Sequence, residues 1–471
     1  MKIKLTILGI LMFTLHYAIA QEKKDSVMRF SLAEAKDYAL KNSPIVKNST
    51  LDLEAAKKKI WETTAIGLPQ VNTKVSYSYM PQLSSTMQEF SGFSNLNSWL
   101  YNADQYLKAN DPSNHAFGNI PNPGAPTPIN ENDLKWSLNW DITVTQIIFS
   151  GAYIVGLQTS KIYKGLSEYA LSKSKDDLNE SVTNAYILVL VASENEALLD
   201  STYQNTLQIL NDMKKISLQG LIDLTDVDQL QLTTNTLKSA KELLNRQVDI
   251  AERMFKFQLG LDLSTKIYLV DSINGLIKNF ENNNILIQNF DLDNNVDFKL
   301  ADTQAKLMKM NLLLNKSAFL PDIAAYYQHE KPFNTNALNF NPTDIIGVSL
   351  SWSIFSSGQR LARISQARYG YQKALNSKQQ ASDGLRLSYD QNKSNYLSSL
   401  DKYNTSSENL KLAEKIYNHS LIKYKAGVIS STELNQTQNQ YLQSQTNYFS
   451  SILELTSAKA KLEKLLTSIQ K

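Results

Sequence analysis

Three landmarks occur twice in this chain, in the same order. Leu68-Pro69-Gln70-Val71 returns as Leu320-Pro321-Asp322-Ile323, and Ile148-Phe149-Ser150-Gly151 returns as Ile354-Phe355-Ser356-Ser357-Gly358. Gly220 returns as Gly427, with Asp226 then opposite Glu433 and Asp228 opposite Asn435. A duplicated layout restricts the fold to two copies of one structural unit. The spacing locates where the copies differ. Pro321 follows Pro69 by 252 residues, Phe355 follows Phe149 by 206 and Gly427 follows Gly220 by 207, so all but one residue of the length change lies between the first and second landmarks.

Each copy mixes helix and strand. Ser31 and Glu34 form a capping-box pattern that opens a helix. Ser43-Pro44 restarts it, with proline at the tolerated first position, and it runs to about Gly67. Pro69 stops it, because proline lacks the N–H and pushes Leu68 out of the helical region. An extended segment follows over 70–80, with Val71, Thr73, Val75, Tyr77 and Tyr79 on one face and Asn72, Lys74, Ser76 and Ser78 on the other. A second strand over 135–149 alternates Trp136, Leu138, Trp140, Ile142 and Val144 with polar residues. The later copy repeats this at 345–356 with Ile346, Val348, Leu350, Trp352 and Ile354. Its other strand, 321–330, alternates poorly.

Strands of about 9–11 residues suit a tilted membrane crossing. A soluble antiparallel sheet with one wet face would show the same alternation. Tyr77, Tyr79, Trp136, Trp140 and Trp352 near strand ends suit a membrane-interface girdle.

Each strand pair leads into very long helices, expected over 151–217 and 226–260, then 358–424 and 431–468. Tyr389, Tyr396, Tyr403, Leu410, Tyr417 and Tyr424 recur at sevens, as do Leu434, Tyr441, Tyr448, Leu455, Leu462 and Ile469. Leu178, Val182, Ala185, Val189 and Ala192 alternate four and three, and Leu230, Leu237, Leu244 and Ala251 follow at sevens. A sustained heptad is a coiled-coil seam, and the tyrosines read as seam packing. The expected organisation is a signal peptide at 1–20, a first repeat at 21–260, a connector at 261–294, and a second repeat at 295–471 that opens with a helix over 296–319. The segment 81–134, rich in proline and asparagine, reads as an extracellular loop with a short helix near Leu96–Leu107.

The N-terminus reads as a secretory signal. Lys2 and Lys4 precede the apolar run Leu5 to Phe13, and Ala18-Ile19-Ala20 is a small-x-small site before Gln21. Without its first twenty residues the chain carries 46 basic against 45 acidic side chains, which gives no electrostatic reason for nucleic-acid binding. There is no cysteine, hence no disulfide, thiolate nucleophile or lipidation site. No later segment is apolar enough for a spanning helix, leaving a soluble periplasmic protein or a β-barrel of individually weak strands.

No catalytic constellation emerges. His115, His329 and His419 lack metal-ligand spacing, and the phosphate-loop, nucleophile-elbow and His-Glu-x-x-His patterns are absent. Asp291-x-Asp293-x-Asn295 resembles the start of a calcium loop, but Val296 stands where glycine is needed and Asp302 where glutamate is. A polar loop leading into a helix accounts for it better. No enzyme, cofactor or metal is expected. The acidic residues after the two glycines admit two readings. Asp223 with Asp226, and Ser430 with Glu433, hold N-cap and N3 positions of the next helix. The same carboxylates could ring a pore mouth and favour cations.

The order of these landmarks over nearly the whole chain resembles the TolC family of outer-membrane efflux proteins. The resemblance rests on Ser31–Ala35, the two Leu-Pro pairs, the Ile-Phe-Ser elements and the glycine turns. It implies a mainly α protein with a small β part. Four strands per chain would enter a trimeric 12-stranded outer-membrane barrel, and the coiled helices would form a periplasmic tunnel. It further implies an exit duct for an inner-membrane pump and a periplasmic adaptor (a membrane fusion protein), in efflux or type I secretion. Candidate aperture or capping residues are Asp223, Asp226, Asp228, Ser430, Glu433 and Gln436. Gln436 departs from a second acidic position. Candidate adaptor-contact turns are Gly220, Leu221, Gly427 and Val428. The alternative is a periplasmic coiled-coil structural or adaptor protein, and a weaker one a surface adhesin centred on 81–134.

Overall fold

The computed structural model describes residues 27–82, 96–113, 120, 122, 135–220, 222–282, 285–333 and 342–467. In chain order the elements are β1 (Met28–Phe30), α1 (Leu32–Asn42), α2 (Pro44–Ile66), β2 (Gln70–Tyr79), α3 (Leu96–Asn110), β3 (Trp136–Phe149), α4 (Gly151–Ser217) and α5 (Leu224–Leu259). They continue with β4 (Ile267–Leu269), α6 (Ile273–Asn282), two 3₁₀ turns, α7 (Val296–Ser317), β5 (Asp322–Pro332), β6 (Asp344–Ser351), α8 (Gln359–Lys425) and α9 (Ser431–Leu466). The signal-peptide residues, His115 and most of 81–134 lie outside the described residues. The chain divides into two units: 27–57, 162–307 and 371–467 in one, and 58–161 and 308–370 in the other.

The second unit holds a four-stranded antiparallel sheet in the order β2-β3-β5-β6. Its register joins the alternating faces that the sequence displays strand by strand. Thr73 lies opposite Ile142, Ile142 opposite His329, and His329 opposite Asp344. Opposite residues share a face. One face therefore collects Val71, Val75, Tyr77, Trp136, Leu138, Trp140, Ile142, Val144, Ile346, Val348 and Leu350. The other collects Asn72, Lys74, Ser76, Asn139, Asp141, Thr143, Gln328, Glu330 and Ser349. β5 alternates weakly because Ala324 and Tyr326 fall on the polar face while His329 falls on the apolar one. A register shift between Ile147 and Phe149 precedes the last pair of the β3–β5 ladder, Phe149 opposite Ile323, just before α4.

The strand expected to run to Ser356 stops at Ser351. Backbone groups beyond it are taken by side chains. Arg360 donates to the carbonyls of Ser353 and Ala318 and to Ser356 Oγ, while its guanidinium stacks on the Phe319 ring. Trp352 Nε1 donates to the Phe319 carbonyl at 3.1 Å. A carbonyl already bound by guanidinium is a poor strand acceptor, so the chain leaves the sheet and turns through Ser357 and Gly358, both at positive φ, into α8.

The first unit is helical, with a small parallel sheet pairing Met28 with Ile267 and Phe30 with Leu269. Ser31 caps α1 in a complete capping box with Glu34. Around this sheet lies the largest apolar cluster, with Phe30, Ala35, Val182, Tyr186, Phe255 and Ile452 buried. The Tyr186 hydroxyl lies 2.9 Å from Asp271 Oδ2, which also accepts the Leu32 N–H at 2.7 Å. The Asp291–Asn295 segment is a pair of caps: Asp291 accepts from Asn294 N, and Asn295 Oδ1 accepts from Asp297 N at 3.0 Å to start α7. Among the described residues no three His, Asp or Glu side chains gather as metal ligands.

α4 and α8 each run 67 residues, about 100 Å at 1.5 Å per residue. Their partners α5 and α9 each run 36. The tyrosine heptad is seam packing. Tyr396, Tyr417, Tyr424 and Tyr441 are buried, and Tyr417 stacks on Tyr441 with ring centres 5.5 Å apart.

Candidate channel tip and membrane face

The turns between the long helices begin at glycines in the left-handed region, Gly220 at φ 75° and Gly427 at φ 71°. Non-glycine residues avoid that region because Cβ crowds the following carbonyl. Val428 is exposed, and Leu221 lies outside the described residues. Asp223 caps α5 by accepting from Thr225 N at 2.8 Å, which holds its carboxyl below the usual range. Ser430 caps α9 by accepting from Glu433 N at 3.2 Å. Asp228, Glu433 and Gln436 are exposed at the same end.

Asp226 does something else. Its carboxylate receives the hydroxyl of Ser431, on the first turn of α9. Ser431 Oγ also lies 2.8 Å from Gln229 Oε1. Further up, Thr233 Oγ1 is 3.0 Å from Asn435 Oδ1, and Gln438 Nε2 donates to Thr206 Oγ1 at 3.0 Å. These contacts tie the α4–α5 hairpin to the α8–α9 hairpin. Apolar packing joins the same hairpins, with Leu210, Val227 and Leu230 against Tyr417, Leu434 and Tyr441.

The polar contacts have a sequence signal that the heptad reading above does not use. Ser431, Gln438 and Gln445 are spaced by sevens beside the Leu434 stripe, and all three are buried. The same register continues as Ile452 and Lys459. One of the two seam positions of α9 is therefore polar near the turn. Gln445 Nε2 is buried without a hydrogen-bond partner. A seam of this kind specifies alignment at a cost in stability.

On the sheet, Tyr77, Tyr79, Trp136 and Trp140 lie on the apolar face toward the β2–β3 connection, and Trp140 Nε1 donates to Thr73 Oγ1 at 2.8 Å. Trp352 follows the opposite end of β6. Three polar side chains on this face satisfy one another: Asp344 Oδ1 accepts from the Tyr327 hydroxyl at 2.7 Å and sits 2.9 Å from His329 Nδ1. β2 has 10 residues, so it is about 33 Å long and, tilted by about 40°, rises about 25 Å, the height of the apolar band of an outer-membrane barrel. No described helix is long and apolar enough to cross a membrane.

This arrangement of elements recurs in solved structures. The outer membrane protein VceC from Vibrio cholerae matches with a TM-score of 0.68 at 13% identity, covering 93% of this chain and 96% of that one. The Campylobacter jejuni CmeC outer membrane channel matches with 0.69 at 15% identity, covering 92% and 85%. The open state of the Neisseria gonorrhoeae MtrE outer membrane channel matches with 0.64 at 14% identity, covering 92% and 88%. The chain therefore has the TolC-like outer-membrane channel fold. No curated protein matches it in sequence. Residues 291–468 match the family model described as outer membrane efflux protein.

Proposed function

We propose that this protein is the outer-membrane exit duct of a tripartite efflux or type I secretion assembly, acting as a homotrimer. The observation that carries the reading is the sheet. It has four strands, an apolar face rich in exposed large side chains, and outer edges on β2 and β6 that pair with no other strand among the described residues. Closed membrane barrels need about eight strands or more, so one chain is insufficient. Three chains would supply twelve, with the apolar face toward lipid and the polar face lining water. α5 supports assembly as well. Leu232, Leu243, Ile250, Met254 and Phe257 are exposed and, at 100° per residue, fall within one narrow arc of that helix.

In this reading the protein catalyses nothing. Its long helices line a periplasmic tunnel, and the turns at 215–230 and 422–437 close its tip and receive a periplasmic adaptor, through which an inner-membrane pump delivers cargo. Asp226, Asp228 and Glu433 lie where a cation-favouring aperture would be. Extraction from bacterial envelopes tests the reading. The expected result is a detergent-dependent trimer that falls to monomer on heating and conducts in planar bilayers. A protein released in water without detergent would instead be a periplasmic coiled-coil protein. Asp226→Ala with Glu433→Ala is expected to change conductance or cation preference. Unchanged values would leave Glu433 with a helix-start role and Asp226 with its contact to Ser431 only.

A further inference from the structure

We propose that Lys74, Asp141 and Glu330 form a charged belt on the water-filled face of the barrel, which sets ion preference separately from the periplasmic tip. The inference rests on the channel reading above. The register carries it. Lys74 lies directly opposite Asp141, and Asp141 directly opposite Glu330, so three charged side chains stand in one row across β2, β3 and β5. They share the face that carries Asn72, Ser76, Thr143 and Gln328. The only other charged residue on that face among the described strand residues is Asp322, eight residues from Glu330 and so about 26 Å away along the strand. No charged residue of β6 shares the face. The charge is thus concentrated in one belt of an otherwise neutral polar wall.

The row is also energetically unfavourable as sheet structure. Like charges directly opposite each other destabilise an antiparallel pair, and Asp141 faces Glu330 in that way. Lys74 offsets one carboxylate and leaves the other. Each chain then contributes one uncompensated negative charge, and a trimer three. Such rings raise the local concentration of cations and lower that of anions, most strongly at low salt. Permeant cations would also relieve the repulsion between Asp141 and Glu330.

The test is the reversal potential of single channels under a KCl gradient, measured for the wild type and for Ser431→Ala, which removes the Ser431–Asp226 contact between the hairpins. Asp141→Asn with Glu330→Gln is expected to lower the cation-to-anion permeability ratio by about threefold or more, and Glu330→Lys to turn it toward anions. Lys74→Met, which leaves both carboxylates in place and removes the offsetting charge, is expected to move the ratio the other way. Channels that conduct normally but keep the wild-type ratio in all three variants would overturn the belt while leaving the channel reading intact. A ratio that responds only to Asp226→Ala with Glu433→Ala would overturn it too, by assigning selectivity to the tip. A trimer that conducts neither as wild type nor as Ser431→Ala would overturn the channel reading, and the belt with it.

Discussion

Replacing Ser431 by alanine removes one oxygen from the contact between the two helical hairpins. Ser431 is 3% exposed, so water does not replace that oxygen freely. Its hydroxyl donates to the Asp226 carboxylate, and a hydrogen bond to a charged group contributes about 1.5–3 kcal/mol. Asp226 is half-buried and partly solvated after the change, which places the loss near the lower end, about 1.5 kcal/mol per chain. In the proposed channel, opening the tip would separate α5 from α9 and break this bond. About 1.5 kcal/mol then shifts each chain's balance about tenfold toward open. Single-channel recording of purified trimers would read this as longer open times or a larger mean conductance. Ser431→Thr keeps the hydroxyl and is expected to stay near the wild type. An alanine variant that still folds as a trimer but keeps an open fraction within about twofold of the wild type would count against this account. The Asp226–Ser431 bond would then be one that opening leaves intact.

Two further outcomes follow from the helical unit. Burial, then the adjacent Asp177 carboxylate, pushes Asp176 from its ordinary 3.8 up to about 6, while Lys464 pulls it down. A raised acid pKa means ionisation is harder in the fold than in the unfolded chain, so this group lowers stability as pH rises from about 4 to about 6 and keeps that effect above. Asp176→Asn should melt higher than the wild type at pH 7.5 and lose the advantage by pH 4. Thermal melts across that range check it, and a constant difference would exclude the ionisation argument. Gly260 closes α5 at φ 72°, and a Cβ there would lie 3.0 Å from the Asn42 carbonyl oxygen and 3.1 Å from Pro44 Cδ. Gly260→Ala should cost about 2 kcal/mol, against about 1 kcal/mol for Gly427→Ala. At Gly427 the same conformation opens onto free space. Comparing the two melting temperatures tests whether contact adds to backbone strain.

Much of this protein is legible locally. The proline stop at Pro69, the capping box at Ser31 and Glu34, and the heptads through Tyr417 and Leu434 depend on neighbours a few residues away. Each strand face is a two-residue alternation. The polar heptad of Ser431, Gln438 and Gln445 is equally local, and it passes unnoticed because polar residues at sevens look like a solvated stripe until burial is known. The end of β6 at Ser351 is not local. Alternation continues through Trp352 and Ile354, and the strand stops where Arg360 takes the Ser353 carbonyl and the Trp352 indole donates to the Phe319 carbonyl.

By itself the sequence determines that two copies of a strand-pair-and-long-helix unit exist, where each element starts, and which side of each strand is apolar. Tertiary structure decides what those faces meet. Phe30 finds Leu269 across the small parallel sheet, Lys74 finds Asp141 and Glu330 in one row, and Asp226 finds Ser431 instead of serving its own helix start. These partners lie tens to hundreds of residues apart. Their pairing is set by register, and a one-residue slip would send every side chain of a strand to the opposite face without changing the local pattern of either partner.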